Sequence, residues 1–247
     1  MPGLKQQLDD EKKAVANAAL RWIRSGMLLG LGSGSTSQYF IRVLGERVRD
    51  RTLSIEAIAA SVQSEEIARE CGIHVIPPAR GLRLDLAVDG ADEIAPDLSL
   101  IKGGGGALLR EKAVAYAAKY FLVIADSSKL VQQLGAFPLP IEVVPFTLPW
   151  VLDEIEELGG KPAQRLTSQT PAVPYLTDQS NYIVDCHFEL IANPSELAMK
   201  LEKTPGVAGH GLFLNMVRTA VIAQNGGVFV HRGGEAVRPA ADFNDLP

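Results

Sequence analysis

The chain has 247 residues, 47% hydrophobic and 21% charged, with a net charge of −5. That length buries a substantial core and holds one large domain or two modest ones. The acidic balance and the lack of any Lys/Arg-rich tract argue against nucleic acid, no apolar run is long enough for a membrane span, and the polar N-terminus does not read as a signal peptide.

Cys71 and Cys186 stand far apart without a CxxC and read as buried free thiols, as expected of a cytoplasmic protein. His74, His187, His210 and His231 are scattered. No metal-ligand spacing appears, so no zinc or other metal is expected.

In chain order, Val15, Ala18, Ala19, Trp22 and Ile23 recur at helical spacing and predict an amphipathic helix over 5–25. Met27 to Leu31 reads as a buried strand, and Gln38 to Val48 as a helix. Between them lie Gly32-Ser33-Gly34-Ser35-Thr36. Strand, Gly/Ser turn and helix form the arrangement in which N–H groups at a helix N-terminus take an anion. The turn lacks the lysine of a Walker A loop, and Gly30, Gly32 and Gly34 do not complete a dinucleotide fingerprint. A generic anion cradle remains, beside the plainer reading of Ser35 or Thr36 as a helix cap.

Further strands are predicted at 53–60, 74–76, 84–88 and 120–125, with helices at 61–71 and 107–119. Strands alternating with helices predict a doubly wound, mostly parallel α/β sheet of Rossmann-like type, whose ligands gather beyond the carboxyl ends of the strands. Asp126-Ser127-Ser128-Lys129 sits at such an end and reads equally as a cation-bearing rim segment or as a helix cap. Pro138, Pro140, Pro145 and Pro149 mark a crossing into a smaller α+β region. There strands are expected at 141–144, 162–166 and 182–186, with helices at 150–158 and 195–201. Short strands at 211–215, 220–224 and 228–231 follow, then a loosely held tail over 233–247. The expected division is 1–134 with 208–247, and 135–207.

The densest chemistry lies in residues 84–112. Asp89 and Asp92 flank Gly90 and Ala91; Lys102 precedes four glycines, Gly103 to Gly106; Glu111 enters a helix. Four glycines in a row lose maximal backbone entropy on folding, so they suit a backbone that must approach a ligand closely. Glu111, on a segment with apolar Leu108, Leu109 and Val114, suits a partly desolvated proton-transfer base. Lys102 suits stabilisation of an oxyanion beside a carbonyl. Asp89 and Asp92 can accept hydrogen bonds from sugar hydroxyls or move protons between oxygens. Singly, these residues also fit helix-dipole, ion-pair or turn roles.

The ordered set of Gly32 to Thr36, Asp89-Gly90-Ala91-Asp92-Glu93, Lys102 to Gly106, Arg110-Glu111-Lys112, Ile124 to Lys129, Phe137 to Val143, Pro205-Gly206-Val207 and Gly211-Leu212-Phe213 resembles ribose-5-phosphate isomerase, type A. The resemblance runs from about Lys12 to about Val230. It implies interconversion of D-ribose 5-phosphate and D-ribulose 5-phosphate, in the pentose phosphate pathway or a reductive pentose phosphate cycle. By similarity Glu111 would carry the proton between C1 and C2 through an enediolate. Lys102 with the backbone of Gly103, Gly104 and Gly105 would stabilise the oxyanion. Asp89 and Asp92, with Gly90 and Ala91 between them, would serve ring opening and the sugar hydroxyls. Ser33, Gly34, Ser35 and Thr36, with Lys12 and Lys129, would bind the substrate, chiefly its phosphate. The resemblance further implies a dimer or tetramer with neither metal nor cofactor. Leu109 departs from the Thr that many relatives carry, and nothing beyond His231 takes a role. The weighed alternatives are a CoA transferase-like enzyme, with Glu111 as nucleophile, and a non-catalytic sugar-phosphate sensor. Against the sensor, no DNA-binding extension precedes residue 5 or follows residue 231.

Overall fold

A computed structural model describes residues 2–243. The chain divides into two compact units. One comprises the residues through Ala91, Arg110–Leu130 and the residues from Asn215; the other comprises Asp92–Leu109 and Val131–Leu214.

In the first unit, α1 (Pro2–Ala19) continues into a 3-10 turn, Leu20–Trp22, which ends the predicted helix early. Then follow β1 (Leu28–Leu31), α2 (Ser35–Arg49), β2 (Glu56–Ala59), α3 (Val62–Glu70), β3 (His74–Val75) and β4 (Leu86–Asp89). In the second unit the chain forms β5 (Glu93–Ile94) and β6 (Leu100–Ile101). Helix α4 (Leu108–Ala117) leads back into the first unit and β7 (Phe121–Asp126). The second unit resumes with β8 (Leu139–Val143), α5 (Leu148–Glu157), β9 (Lys161–Gln164), β10 (Tyr182–His187), α6 (Pro194–Lys203), β11 (Val207–His210) and β12 (Leu212–Phe213). Strands β13 (Thr219–Gln224), β14 (Gly227–His231) and β15 (Arg238–Pro239) belong to the first.

The first unit's sheet has the order β15-β14-β13-β7-β4-β1-β2-β3. From β13 to β3 every pairing is parallel, and β14 and β15 add an antiparallel edge. Renumbered along the parallel strands alone, this is the doubly wound order 3-2-1-4-5-6, whose direction reverses between β1 and β4. Alternation along the strands explains the layering. Leu29, Leu31, Leu86, Val88, Leu122 and Ile124 join one core with Val15, Phe40 and Leu44 of α1 and α2. Gly30 points the other way, where a Cβ would meet Val114 of α4 at 2.5 Å. Only a glycine lets that helix lie so close.

The tail is a correction to the sequence reading. Rather than hanging loosely, Arg238–Pro239 pairs with β14, and Arg21 Nη1 donates to the Ala240 carbonyl at 2.8 Å. Phe243 is buried, with the guanidinium groups of Arg232 and Arg238 each 4.4 Å from its ring centre. Cation–π contact and apolar burial together hold it. The last four residues of the expected tail lie outside those described.

The second unit carries a four-stranded antiparallel sheet, β11-β8-β10-β9, and a three-stranded one, β12-β6-β5. Leu139, Ile141 and Val143 alternate into a core with Val151, Ile155, Val184 and Leu201. The strand predicted over 211–215 is shortened to Leu212–Phe213, and at Gly211 before it a Cβ would lie 2.3 Å from the Lys102 carbonyl oxygen. This unit contains the expected 135–207 segment and also takes 92–109, 131–134 and 208–214, because β5 and β6 pair with β12, and β11 pairs with β8.

Candidate functional site

In the first unit the Ser33–Thr36 turn and Asp89–Gly90 come together where β1 and β4 end. Gly32 N–H donates to the Val88 carbonyl at 2.9 Å, extending the pairing past the last strand residue. Asp89, only 3% exposed, then closes the switch point. Its Oδ1 accepts from Ser33 N–H at 2.9 Å, Ser37 Oγ at 2.9 Å and its neighbour Gly90 N–H at 2.7 Å. A Cβ on Gly32 would lie 2.0 Å from that same oxygen, which explains the glycine. Gly90 sits against Thr36, 3.7 Å from a Cβ it does not have.

Ser35 and Thr36 form the first turn of α2, and neither caps it. The N-cap is Gly34, at φ +85°, with no side-chain hydrogen bond. The first-turn N–H groups are therefore left facing out of the positive end of a 15-residue helix. Ser37, fully buried, was not foreseen as part of the site. A lone serine inside a helix gives no sign that its partner lies 52 residues away.

Lys12 lies on α1, 3.7 Å from Asp9 and 17% exposed in its side chain. Lys129 ends a 3-10 turn whose N-cap is Asp126, accepting from Ser128 N–H at 3.0 Å. The helix-cap reading of Asp126 is thus realised. The residue preceding Lys12 ties these two segments together. Glu11 Oε2 accepts from Ser127 N–H at 2.9 Å and from Ser127 Oγ at 2.8 Å, while Gln7 donates to its other oxygen at 3.0 Å. Burial by itself raises the Glu11 pKa, but the hydrogen bonds from Ser127 and Gln7 together take it below the ordinary glutamate value. Glu111, 4% exposed, stands in the first turn of α4, with Val114 and Ala115 buried on the following turn. Ala91 is the last residue of the unit's first segment.

In the second unit Asp92 and the glycine run form one structure. Asp92 N–H donates to the Ile101 carbonyl and its Oδ2 accepts from Gly104 N–H, both at 2.8 Å. Lys102 is 2% exposed; its N–H donates to the Gly211 carbonyl at 2.9 Å, and its Nζ lies 5.5 Å from the Phe213 ring centre. A Cβ on Gly103, Gly104 or Gly106 would strike Leu108, Asp92 or Tyr175 at 2.4–2.7 Å, whereas one on Gly105 would meet nothing within 4 Å. Three glycines are required by packing, and the fourth presents an open face.

Glu93 also has a partner the sequence did not reveal. Buried at 2% exposure, it accepts from Gly135 N–H at 2.7 Å and Phe137 N–H at 2.5 Å. It thereby joins two motifs that are separate in sequence. Among the described residues no group of three or more His, Cys, Asp or Glu side chains is placed to hold a metal ion, and no helix is long and apolar enough to cross a membrane.

The family model for ribose 5-phosphate isomerase A (phosphoriboisomerase A) matches residues 56–227. Ribose-5-phosphate isomerase A of Sphingopyxis alaskensis is 45% identical over 226 residues, covering 92% of this chain and 97% of that relative. Ribose-5-phosphate isomerase A 1 of Oceanobacillus iheyensis is 42% identical over 222 residues, covering 90% of this chain and 98% of the relative. The solved ribose 5-phosphate isomerase A of Methanocaldococcus jannaschii superposes with a TM-score of 0.86 at 37% identity, over 90% of this chain and 98% of that one. With the doubly wound order and the motifs in sequence, these matches decide the affiliation: the chain belongs to the ribose 5-phosphate isomerase A family.

Proposed function

We propose that the protein interconverts D-ribose 5-phosphate and D-ribulose 5-phosphate by proton transfer between C1 and C2. The observation that carries this reading is Glu111, a carboxylate 4% exposed in the first turn of a helix, within a chain belonging to this isomerase family. Glu111 takes the proton from C2 of the open-chain aldose. The C1 carbonyl oxygen becomes the enediolate oxyanion, held by Lys102 and the Gly103–Gly105 backbone. Glu111 returns the proton to C1, while the O2 proton passes to O1, leaving the ketose. Asp89 and Asp92 serve the sugar hydroxyls and ring opening. The α2 N-terminus at Ser33–Thr36 receives the phosphate, with Lys12 and Lys129 as its cations. The Glu11 clamp supports that pairing by joining the segments that carry them.

A dimer or tetramer belongs to this reading. The exposed Phe146 and Trp150, stacked edge to face at 5.6 Å, support it as an apolar contact surface. A strictly monomeric mass by light scattering would contradict it. Two buried free thiols support a reducing, cytoplasmic setting.

The test is Glu111→Gln, assayed beside the unaltered, EDTA-treated protein with ribose 5-phosphate in deuterated water by proton NMR. The unaltered protein is expected to form ribulose 5-phosphate. The variant is expected to bind substrate but turn over ~10²–10⁴-fold more slowly. Near-normal turnover in the variant would remove Glu111 from its role; binding without turnover in the unaltered protein would favour the sensor reading.

A further inference from the structure

We infer that Arg165 is a positioning residue for the reaction, aiming the Gly105 N–H at the developing oxyanion; this rests on the proposed role of the glycine backbone. Arg165 follows β9 and is braced by a two-pronged ion pair with Asp185 of β10, its Nε donating to Oδ2 at 2.8 Å and its Nη2 to Oδ1. The remaining Nη1 reaches 61 residues back in sequence and donates to the Gly104 carbonyl at 2.9 Å.

The C=O of Gly104 and the N–H of Gly105 belong to one planar peptide and point in opposite directions across it. Holding that carbonyl therefore fixes the direction of the N–H. On the near side, Gly104 N–H is itself fixed by Asp92. On the far side, Gly105 C=O accepts from the Tyr175 hydroxyl at 3.3 Å, and Gly106 N–H donates to Gly103 C=O at 2.9 Å. The N–H groups of Gly104 and Gly106 are thus used in holding the loop, whereas no acceptor among the described residues is paired with Gly105 N–H. Gly105 is exposed, and its α-carbon faces open space.

Glycines cannot maintain such an orientation alone, since their backbones rotate freely. A rigid guanidinium fork anchored on a sheet can. It also polarises the peptide, strengthening the opposite N–H as a donor.

The test compares Arg165→Met, Arg165→Lys and the double variant R165M/D185N, which leaves no stranded carboxylate, with the unaltered protein on ribose 5-phosphate. Loss of aim is expected to lower kcat by ~10–10²-fold, less than the ~10²–10³-fold cost of deleting an oxyanion donor outright. KM should stay within about twofold of the unaltered value, in keeping with an effect on the transition state alone. R165K, which restores a cationic donor but not the fork, should recover part of the loss. A kcat within about twofold in both R165M and the double variant would overturn the inference. So would activity that falls only with the folded fraction in a thermal melt. No turnover by the unaltered protein would instead sink the function reading itself.

Discussion

An aspartate stands at each end of strand β4, one reaching across to the backbone of β1 and the other to the turn that follows it. Asp85, just before the strand, accepts from Leu28 N–H at 2.9 Å; Asp89, its last residue, accepts from Ser33 N–H at 2.9 Å. The separations are 57 and 56 residues. Here the likeness stops. Asp85 has a side chain 33% exposed and an ion pair to Lys119 at 2.8 Å. The Lys119 hydrogen bond, then that from Leu28, holds its carboxyl below the ordinary aspartate value. Asp89 is 3% exposed and gathers a turn, a helix serine and its own next residue about one oxygen. At the amino end the carboxylate braces the sheet; at the carboxyl end it organises the turn that leads into α2. The same residue type braces the sheet or shapes a turn according to the end it occupies, and it is at the carboxyl end that ligands gather in doubly wound folds.

The contrast can be broken most severely with Gly32→Ala. The added methyl would sit 2.0 Å from the Asp89 carboxylate, so either the turn or the aspartate must move. An ångström of displacement at such a site costs ~10²-fold, and kcat/KM should fall by at least that much. Ser37→Ala is gentler. It removes one hydrogen bond to Asp89 and one from Gly90 N–H. At about 0.5–1.5 kcal/mol each, the expected loss in kcat/KM is roughly tenfold, measured with ribose 5-phosphate. Unchanged kinetics in S37A would deny Asp89 its dependence on that hydroxyl.

Asp85→Asn sharpens the other side. Activity at saturating substrate should stay within about twofold, while stability above pH 5 falls by roughly 1 kcal/mol. The sign follows from the depressed pKa. The stabilisation is fully present above the unfolded value near 3.9 and is lost as pH falls through the lower folded value. Urea midpoints at pH 7 and pH 3 should therefore differ less in D85N than in the unaltered protein. An equal pH dependence in both would remove Asp85 as a titrating brace.

Legibility in the sequence followed the range of each interaction. The Gly32–Thr36 turn and the Lys102–Gly106 run announce themselves because glycine requirements are local and consecutive. Helix–strand alternation likewise carried the sheet. Ser37, Glu93 and Arg165 did not, since each acts on a backbone group or carboxylate 42–61 residues away. Nothing in their neighbours hints at such partners. Strands β5 and β6, at two residues each, are too short for any period to register. Phe243 looked like tail because its partners are two arginines whose stems and faces pack as apolar surface.

The interrupted course of the chain has a consequence for its birth on the ribosome. Strand β7, buried along its whole length, pairs on one side with β4 and on the other with β13. Strand β13 is made only after the whole second unit has been synthesised. Until Thr219–Ala223 emerges, the nascent sheet ends in an apolar edge with unsatisfied N–H and C=O groups, the surface most prone to pairing with another chain. A truncated product ending before Thr219 would carry this open edge permanently.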